Sequence, residues 1–538
     1  MQYKINTLLE KNTNQSPTAE HSLLPRSLFI LIITLSTTLL PITKSLHAAQ
    51  VSVADEVEQL LRTNSLDTST ISIVVKDLDS DSILIDHDGE KLMLPASNMK
   101  LLTTGVTLLS LGPDFSFQTK TLKDDQGRII IVGSGDPGFA DPVLLKQMNI
   151  SVNDLADLWV SDLVEAGITN IPELIIDDQI FDQVRTHPKW MTEDLLHGYG
   201  AQVAGFNFFA NTAHFYFKPA RQDGAAPTYA VEPDITGQIT IRNLAKTRLK
   251  SSDAKRNSLW LDRKLGTNNY TISGKIRLPA ETDITVNDPA LTFTSFLAQR
   301  LHLQGIKVNK IRRASNREQF PNAKPVGRTI RTRLQTILHR ANTDSANLYA
   351  ECLIKRLGHD ATGQPGSWVN GPAVIRAVVA KELGPALATQ LIVSDGSGLS
   401  RDNRTSARMF VAWLANMNAQ DDPISNLYHE SLARPSRPGT LRNRFKTVKI
   451  TGKVEAKSGY MRGISCLTGY LTSPKGRTAA FSILINDIPP RIPISKAKLV
   501  QEKIVKIVDQ YLLNQESALL ATPADKNSTT KTTENFGG

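Results

Sequence analysis

A serine hydroxyl attacks a carbonyl only when a base takes its proton. The stretch Ser97-Asn98-Met99-Lys100 offers a hydroxyl and an amine three residues apart, at the head of an apolar run. Helical positions i and i+3 share a face, so Lys100 can reach the Ser97 hydroxyl. Burial of that lysine would depress its pKa and leave an amine able to accept a proton. The helix N-terminus would add partial positive charge beside a developing oxyanion. The pattern is weak taken alone, because Ser-x-x-Lys recurs at Ser252, Ser495 and Ser528. The bland alternative for Ser97 is an ordinary N-cap.

Three further stretches add polar chemistry in a fixed order: Ser345-Ala346-Asn347, Asp395-Gly396-Ser397-Gly398-Leu399-Ser400 and Lys457-Ser458-Gly459. Ser345 offers a hydroxyl that can relay a proton to a leaving amine, and Asn347 an amide that can hold a substrate amide. Capping would explain both equally well in isolation. The Lys457 stretch is the one Lys-[Ser/Thr]-Gly of the chain. Lys457 and Ser458 suit a substrate carboxylate, as a point charge beside a hydroxyl donor. Gly459 permits a close approach of backbone to a ligand. The alternative is an exposed lysine on an edge strand.

The elements that must position these groups follow from periodicity. Residues 55–63 read as a helix, 71–76 and 82–86 as a hairpin, and 97–111 as a buried helix, apolar on most faces. Strand candidates at 128–132, 173–177, 212–217, 237–242, 258–262 and 269–276 dominate a middle region, interrupted by helices near 142–148 and 152–166. Helical patterns return at 290–304, 327–340, 345–357, 370–383, 405–418 and 423–433. Strands at 449–456, 463–472 and 477–485 and a helix at 494–514 close the chain. The fold class is therefore α+β, an antiparallel sheet flanked by helices and assembled from both chain ends, carrying a large strand-rich insertion. The expected boundaries are 1–49 for an export signal, 50–114 with 290–515 for the catalytic domain, 115–289 for an inserted region of one or two modules, and 516–538 for a disordered polar tail.

The ordered set resembles the penicillin-binding proteins of the class C low-molecular-mass group, the penicillin-binding protein 4 type of D-alanyl-D-alanine carboxypeptidase/endopeptidase. The resemblance spans about residues 50–515 and includes GSGDP at 133–137, DGSGLSRDN at 395–403, PGTLRNR at 438–444 and KSGYMRGIS at 457–465. It includes the spacing of 248 positions from Ser97 to Ser345, where compact relatives have a short helical segment. It implies a penicillin-recognising serine transpeptidase-like fold. Ser97 would be acylated by the penultimate D-Ala of a peptidoglycan stem peptide, with Lys100 as general base. The N–H groups of Ser97 and Tyr460 would form the oxyanion hole. It further implies acylation of Ser97 by beta-lactams and no cofactor or metal. The segment from Trp190 through Asp194 to Tyr199 resembles the family's far end of the cleft. There Asp194 would pair with the amino group of a diaminopimelate side chain, Tyr199 would lie beside it, and Leu399 and Met461 would be apolar walls. The chain departs from the family in having Ser-Ala-Asn for Ser-Asp-Asn, Lys-Ser-Gly for Lys-Thr-Gly and Tyr460 for a small Thr.

The rest of the sequence bounds this reading. The 538 residues carry a net charge of +10 and 40% hydrophobic residues. Ser27 to Ile42 is an apolar run after Arg26, followed by small residues up to Ala49. It reads as an export signal cut near Ala48 or Ala49, with an uncleaved anchor as the alternative. Export points to the periplasm or the exterior of the cell envelope and makes nucleic acid an unsuitable partner. The basic surface suits loose attraction to anionic cell-wall polymer or membrane. Cys352 and Cys466 read as two unpaired buried thiols, with one disulfide as the alternative. Gly133-Ser-Gly-Asp-Pro-Gly138 matches a dinucleotide fingerprint, but Pro137 sits inside the loop. The competing functions are a beta-lactamase, which needs a second base to hydrolyse the acyl-enzyme, and a non-catalytic peptidoglycan-binding scaffold with a degenerate site.

Overall fold

The computed structural model describes residues 52–64, 66, 68–249 and 257–521. The expected export signal, and the part of the expected tail beyond residue 521, lie outside the described residues.

A five-stranded antiparallel sheet joins the two ends of the chain. Its spatial order is Lys453–Met461, Ile464–Thr472, Thr478–Asn486, Thr70–Asp77 and Ser82–His87. Alternation decides which way each strand faces. In Ile464–Thr472, Ile464, Cys466 and Tyr470 enter one core, and Leu467 and Leu471 enter the other. The first core is shared with the Met99–Leu111 and Ala407–Asn418 helices. The second is closed by Val500, Ile504, Val505, Val508 and Leu512 of the long Ile494–Ala521 helix and by Val57. With both faces covered, the strand reads as a continuous apolar run rather than as a half-buried alternation.

Three expectations are corrected. The last helix continues to Ala521, so residues 516–521 do not belong to a disordered tail. Glu516 is buried there and accepts from the Lys475 amide at 3.0 Å, which ties the helix end to a sheet turn. Residues 330–333 form a strand where a helix over 327–340 is expected; Ile330 and Thr332 pair with Thr119 and Phe117, and the helix starts at Leu334. Alternating β-branched residues in so short a run suit a sheet edge better than a helix start.

The inserted region is also larger than its expected bounds. A six-stranded mixed sheet contains Ser116–Lys123, Ile129–Val132 and Leu174–Asp177, and also Ile311–Arg313 and Lys324–Pro325. The Pro289–Leu303 helix packs on it through Phe293, Phe296, Leu297 and Leu301, against Phe139, Trp159, Phe206 and Phe208. Each buried phenylalanine contributes about 1.5–3 kcal/mol, so residues 289–333 belong energetically with this second body, not with the catalytic core. Two three-stranded sheets spanning Thr212–Thr285 also belong to it, with two-stranded pairs of Lys246–Thr247 with Lys275–Ile276 and of Asn170–Ile171 with Lys307–Val308.

Candidate active site

Ser97 lies in a single 3₁₀ turn, Ala96–Asn98, that leads into the Met99–Leu111 helix. Ala96 has φ +46°, a left-handed conformation that costs a non-glycine residue about 1–3 kcal/mol. The surroundings hold it there. Asn98 donates to Thr468 Oγ1 at 2.7 Å, and Thr468 in turn meets Ser482 at 2.9 Å, so the turn is pinned to the sheet. Gly398 has φ +84°, and a Cβ there would sit 1.8 Å from Ala96 O. Ser97 makes no capping bond.

Its hydroxyl instead faces Lys100. The Lys100 Nζ is buried, 3.2 Å from Ser97 Oγ, 2.7 Å from Asn347 Oδ1 and 2.9 Å from Ser397 O. Burial lowers the Lys100 pKa to about 7, against the opposing pull of Glu351 and Asp395. A neutral amine has two N–H bonds and one lone pair. The Asn347 and Ser397 oxygens can only accept, so they take both N–H bonds. The lone pair is left for the Ser97 proton. The arrangement thus fixes which way a neutral Lys100 points.

Ser345 has φ +61° and makes no capping bond either; Ala346 is the residue that precedes the Asn347–Thr362 helix. The Ser345 hydroxyl accepts from Lys457 Nζ at 2.9 Å. Lys457 also donates to Ser458 O at 2.7 Å. It is fully buried, and burial, with repulsion from Lys100, holds its pKa well below the usual lysine range. Lys457, Ser458 and Gly459 lie inside the Lys453–Met461 strand, at the sheet edge, not after a strand that ends at 456. The close approach at Gly459 is to the nucleophile turn: a Cβ there would meet Pro95 O at 2.8 Å. Tyr460 is exposed, and Met461 packs against the main core.

The 395–400 loop is bound by two buried carboxylates. Asp395 accepts from the Gly398 and Ser400 amides, from Asn403 Nδ2 and, at 2.9 Å, from Trp190 Nε1. Glu351 accepts from the Ser397 amide at 2.7 Å, from the Gly396 amide at 3.2 Å and from Trp368 Nε1 at 2.7 Å. Sequence reasoning missed Glu351 and Trp368. The available signal was spacing, since Glu351 follows Asn347 by one helical turn on the same face.

The inserted region reaches the site directly. Asn347 Nδ2 donates to Tyr199 O at 2.9 Å, so one Asn347 amide bridges Lys100 and the insertion. Tyr199 OH donates to Asp194 Oδ1 at 3.1 Å; Asp194 lies in the first turn of the 3₁₀ helix Thr192–Leu196, where a carboxylate at a helix start is also at home. Burial and the Asp194 carboxylate raise the Tyr199 pKa. Leu399 packs against the cluster of Phe181, Trp190 and Leu348.

Other sequence alternatives separate from the site. In the glycine-rich stretch, the Gly133, Gly135 and Gly138 amides donate to Asp177 O, Gly205 O and Asp136 Oδ1, each at 2.8 Å. None is free for a phosphate. Cys352 and Cys466 are both free and buried, in different clusters. Among the described residues, no group of three or more His, Cys, Asp or Glu is arranged to hold a metal ion. Two cavities, of about 170 Å³ beside Trp260 and about 290 Å³ between Leu144, His339 and Leu427, do not include the serine.

The profile of the D-Ala-D-Ala carboxypeptidase 3 (S13) family matches residues 53–511. The chain is 28% identical to a D-alanyl-D-alanine carboxypeptidase of Actinomadura sp. over 484 residues, 86% of this chain and 85% of that one. It is 22% identical to D-alanyl-D-alanine carboxypeptidase DacB of Haemophilus influenzae, over 81% of this chain and 88% of that one. The crystal structure of penicillin-binding protein 4 from Haemophilus influenzae superposes with a TM-score of 0.70 at 21% identity, covering 86% of this chain and 99% of that one.

Proposed function

The chain belongs to the D-Ala-D-Ala carboxypeptidase 3 (S13) family, and from that premise we propose how its own residues carry out serine D,D-peptidase chemistry on peptidoglycan. Ser97 is the nucleophile and Lys100 its general base. The observation that carries this is the three-way seat of Lys100 Nζ on Ser97 Oγ, Asn347 Oδ1 and Ser397 O.

Neutral Lys100 takes the Ser97 proton as Oγ bonds to the carbonyl carbon of the penultimate D-Ala. The N–H groups of Ser97 and Tyr460 receive the oxyanion. The bond to the terminal D-amino acid breaks, and the leaving amine takes a proton through the Ser345 hydroxyl, which Lys457 holds. Water then releases the shortened peptide from Ser97. The substrate's terminal carboxylate meets Lys457 and Ser458 at the sheet edge. That anion would restore the proton that burial makes Lys457 give up. Asn347 still has one N–H for the substrate amide, because its other N–H is on Tyr199 O. Gly459 lets the strand close on the nucleophile turn, which supports the oxyanion pair. Asp194, with Tyr199, suits the free amine of a diaminopimelate side chain, and Leu399 and Met461 suit apolar walls of the cleft.

Beta-lactams carry the same acyl–carboxylate spacing as the D-Ala-D-Ala end and would acylate Ser97. Slow release is expected: the two carboxylates that act on Lys100, Glu351 and Asp395, are occupied by N–H donors and are poor water-activating bases. The work site is the cell wall, with export to the periplasm or envelope exterior. No helix among the described residues is long and apolar enough to cross a membrane.

The test is incubation with a labelled penicillin and mapping of the adduct by mass spectrometry. A stable adduct on Ser97, absent from Ser97→Ala, is expected. A folded protein that takes no adduct would move a peptidoglycan-binding scaffold ahead of the enzyme. Terminal D-Ala release and cross-link cleavage, assayed side by side on the same preparation, divide carboxypeptidase from endopeptidase work.

A further inference from the structure

We propose that Glu351 is a positioning residue for the catalytic lysine, acting through the Gly396–Ser397 backbone. The inference rests on the reading of Lys100 as general base. The geometry is a relay of one peptide segment. The Glu351 carboxylate holds the Gly396 and Ser397 amides, at 3.2 Å and 2.7 Å. The carbonyl of the same Ser397 accepts from Lys100 Nζ at 2.9 Å. Glu351 has no exposed surface, and it accepts a third bond from Trp368 Nε1. A second link starts from the same helix: Asn347, one turn before Glu351, supplies the other acceptor for Lys100. One helix therefore aims both N–H bonds of the neutral amine, one directly and one through the loop.

A buried carboxylate is expensive unless it does something that a neutral group cannot. A glutamine here has one oxygen for three donors and would set its NH₂ against at least one N–H. The loop carbonyl would then lose its fixed distance from Lys100. The charge matters as well. Glu351 and Asp395 both pull the Lys100 pKa upward against burial. Burial and the facing Asp395 push Glu351 itself up to about 7, opposed by its Ser397, Trp368 and Gly396 bonds. The other titratable groups around these residues are Lys355 and Cys352 on the same helix, His187, which feels Asp395 from the insertion, and Lys457 on the edge strand, which repels Lys100. The negative charge on Glu351 therefore bears on the Lys100 titration through space, beside its hold on the loop.

The experiment measures the second-order rate of Ser97 acylation by a labelled penicillin from pH 5 to 9, for the full-length protein and for Glu351→Gln and Glu351→Asp. For Glu351→Gln the plateau rate should fall about tenfold or more. Its acid limb should move to lower pH by about half a unit, because the charge that favours the ammonium form of Lys100 is gone. Glu351→Asp keeps the charge on a shorter arm. It should keep the limb in place and lose rate. A folded Glu351→Gln protein with the wild-type rate and limb overturns the proposal. So does an Asp variant whose limb moves as far as that of Gln, which would mark a merely structural residue. If Glu351→Gln does not fold, the Asp variant alone decides, by rate lost with the limb unmoved or by wild-type behaviour. Failure of the wild-type protein to be acylated would instead strike the reading of the site itself.

Discussion

The catalytic core and the inserted region meet the same lysine in different ways. The core supplies the reactive side chains: Ser97 and Lys100 at the head of the Met99–Leu111 helix, Ser345 and Asn347 at the head of the Asn347–Thr362 helix, and Lys457 in the edge strand of the central sheet. The insertion supplies no side chain to Lys100. It gives a backbone carbonyl, Tyr199 O, to Asn347 and an indole N–H, Trp190 Nε1, to Asp395. It also gives Asp141, which is fully buried and accepts from Arg340 at 2.9 Å and from Tyr349 OH at 2.8 Å. Arg340 O in turn holds the Ala346 amide beside Ser345. Each contact braces a residue that touches or adjoins the reactive groups. The lesson is that a large insertion can belong to an active site without contributing a reacting atom, because alignment is worth as much as chemistry.

This comparison can be broken from either side, and the largest effect should come from the core. Ser97→Ala should abolish the penicillin adduct, and Lys100→Met should slow acylation by about 10³-fold, read as adduct formation over time. On the insertion side, Asp141→Ala should cost about 3–5 kcal/mol of stability by leaving Arg340 short of a buried partner. A denaturant melt checks it, and an unchanged midpoint would mean the two regions are not joined there. Gly200→Ala is the sharper probe, since its Cβ would sit 2.2 Å from Asp194 O and must displace the turn that carries Tyr199. Turnover should fall about 10- to 100-fold while the fold survives. Equal turnover would show that the Tyr199 carbonyl is dispensable.

Asp194→Asn should be smaller and selective. Substrates with a free side-chain amine should lose about tenfold in kcat/KM, and penicillin acylation should hardly change. Loss on both would contradict a role confined to the far end of the substrate. The pH dependence is the finest test. Lys100 is a base only when neutral, and burial brings its pKa to about 7. Acylation should therefore rise as pH climbs through about 7 and level off above it, well before the range where an ordinary lysine loses its proton. A limb near the usual lysine value would mean that the amine is not desolvated as the geometry requires.

How much of this was open to inspection in the chain depends on how local the cause is. The nucleophile and its base lie three residues apart, in a turn and the head of the apolar helix it leads into, so period and spacing suffice to find them. The sheet strands carry their own signal, in runs such as ISCLTGYL, and the sheet's assembly from both chain ends follows from where those runs fall. The Lys457 stretch was legible by type, though its place within a strand was not. A reader of the chain alone could not see that residues 289–333 complete the second core, because Phe293 and Phe296 show that they are apolar and not which apolar neighbours they meet.

The sequence by itself determined the inventory: two serines, two lysines, an asparagine and a glycine-bearing strand, in an order that one family shares. Tertiary structure alone decided how they work together. Glu351, Ser397 O, Trp190 and Tyr199 O are brought to Lys100 and its partners across tens to hundreds of residues. A backbone carbonyl has no residue type that could betray it. Burial alone turns Lys100 from a permanent cation into a base, and burial is a property of what surrounds a side chain, which no stretch of chain carries within itself.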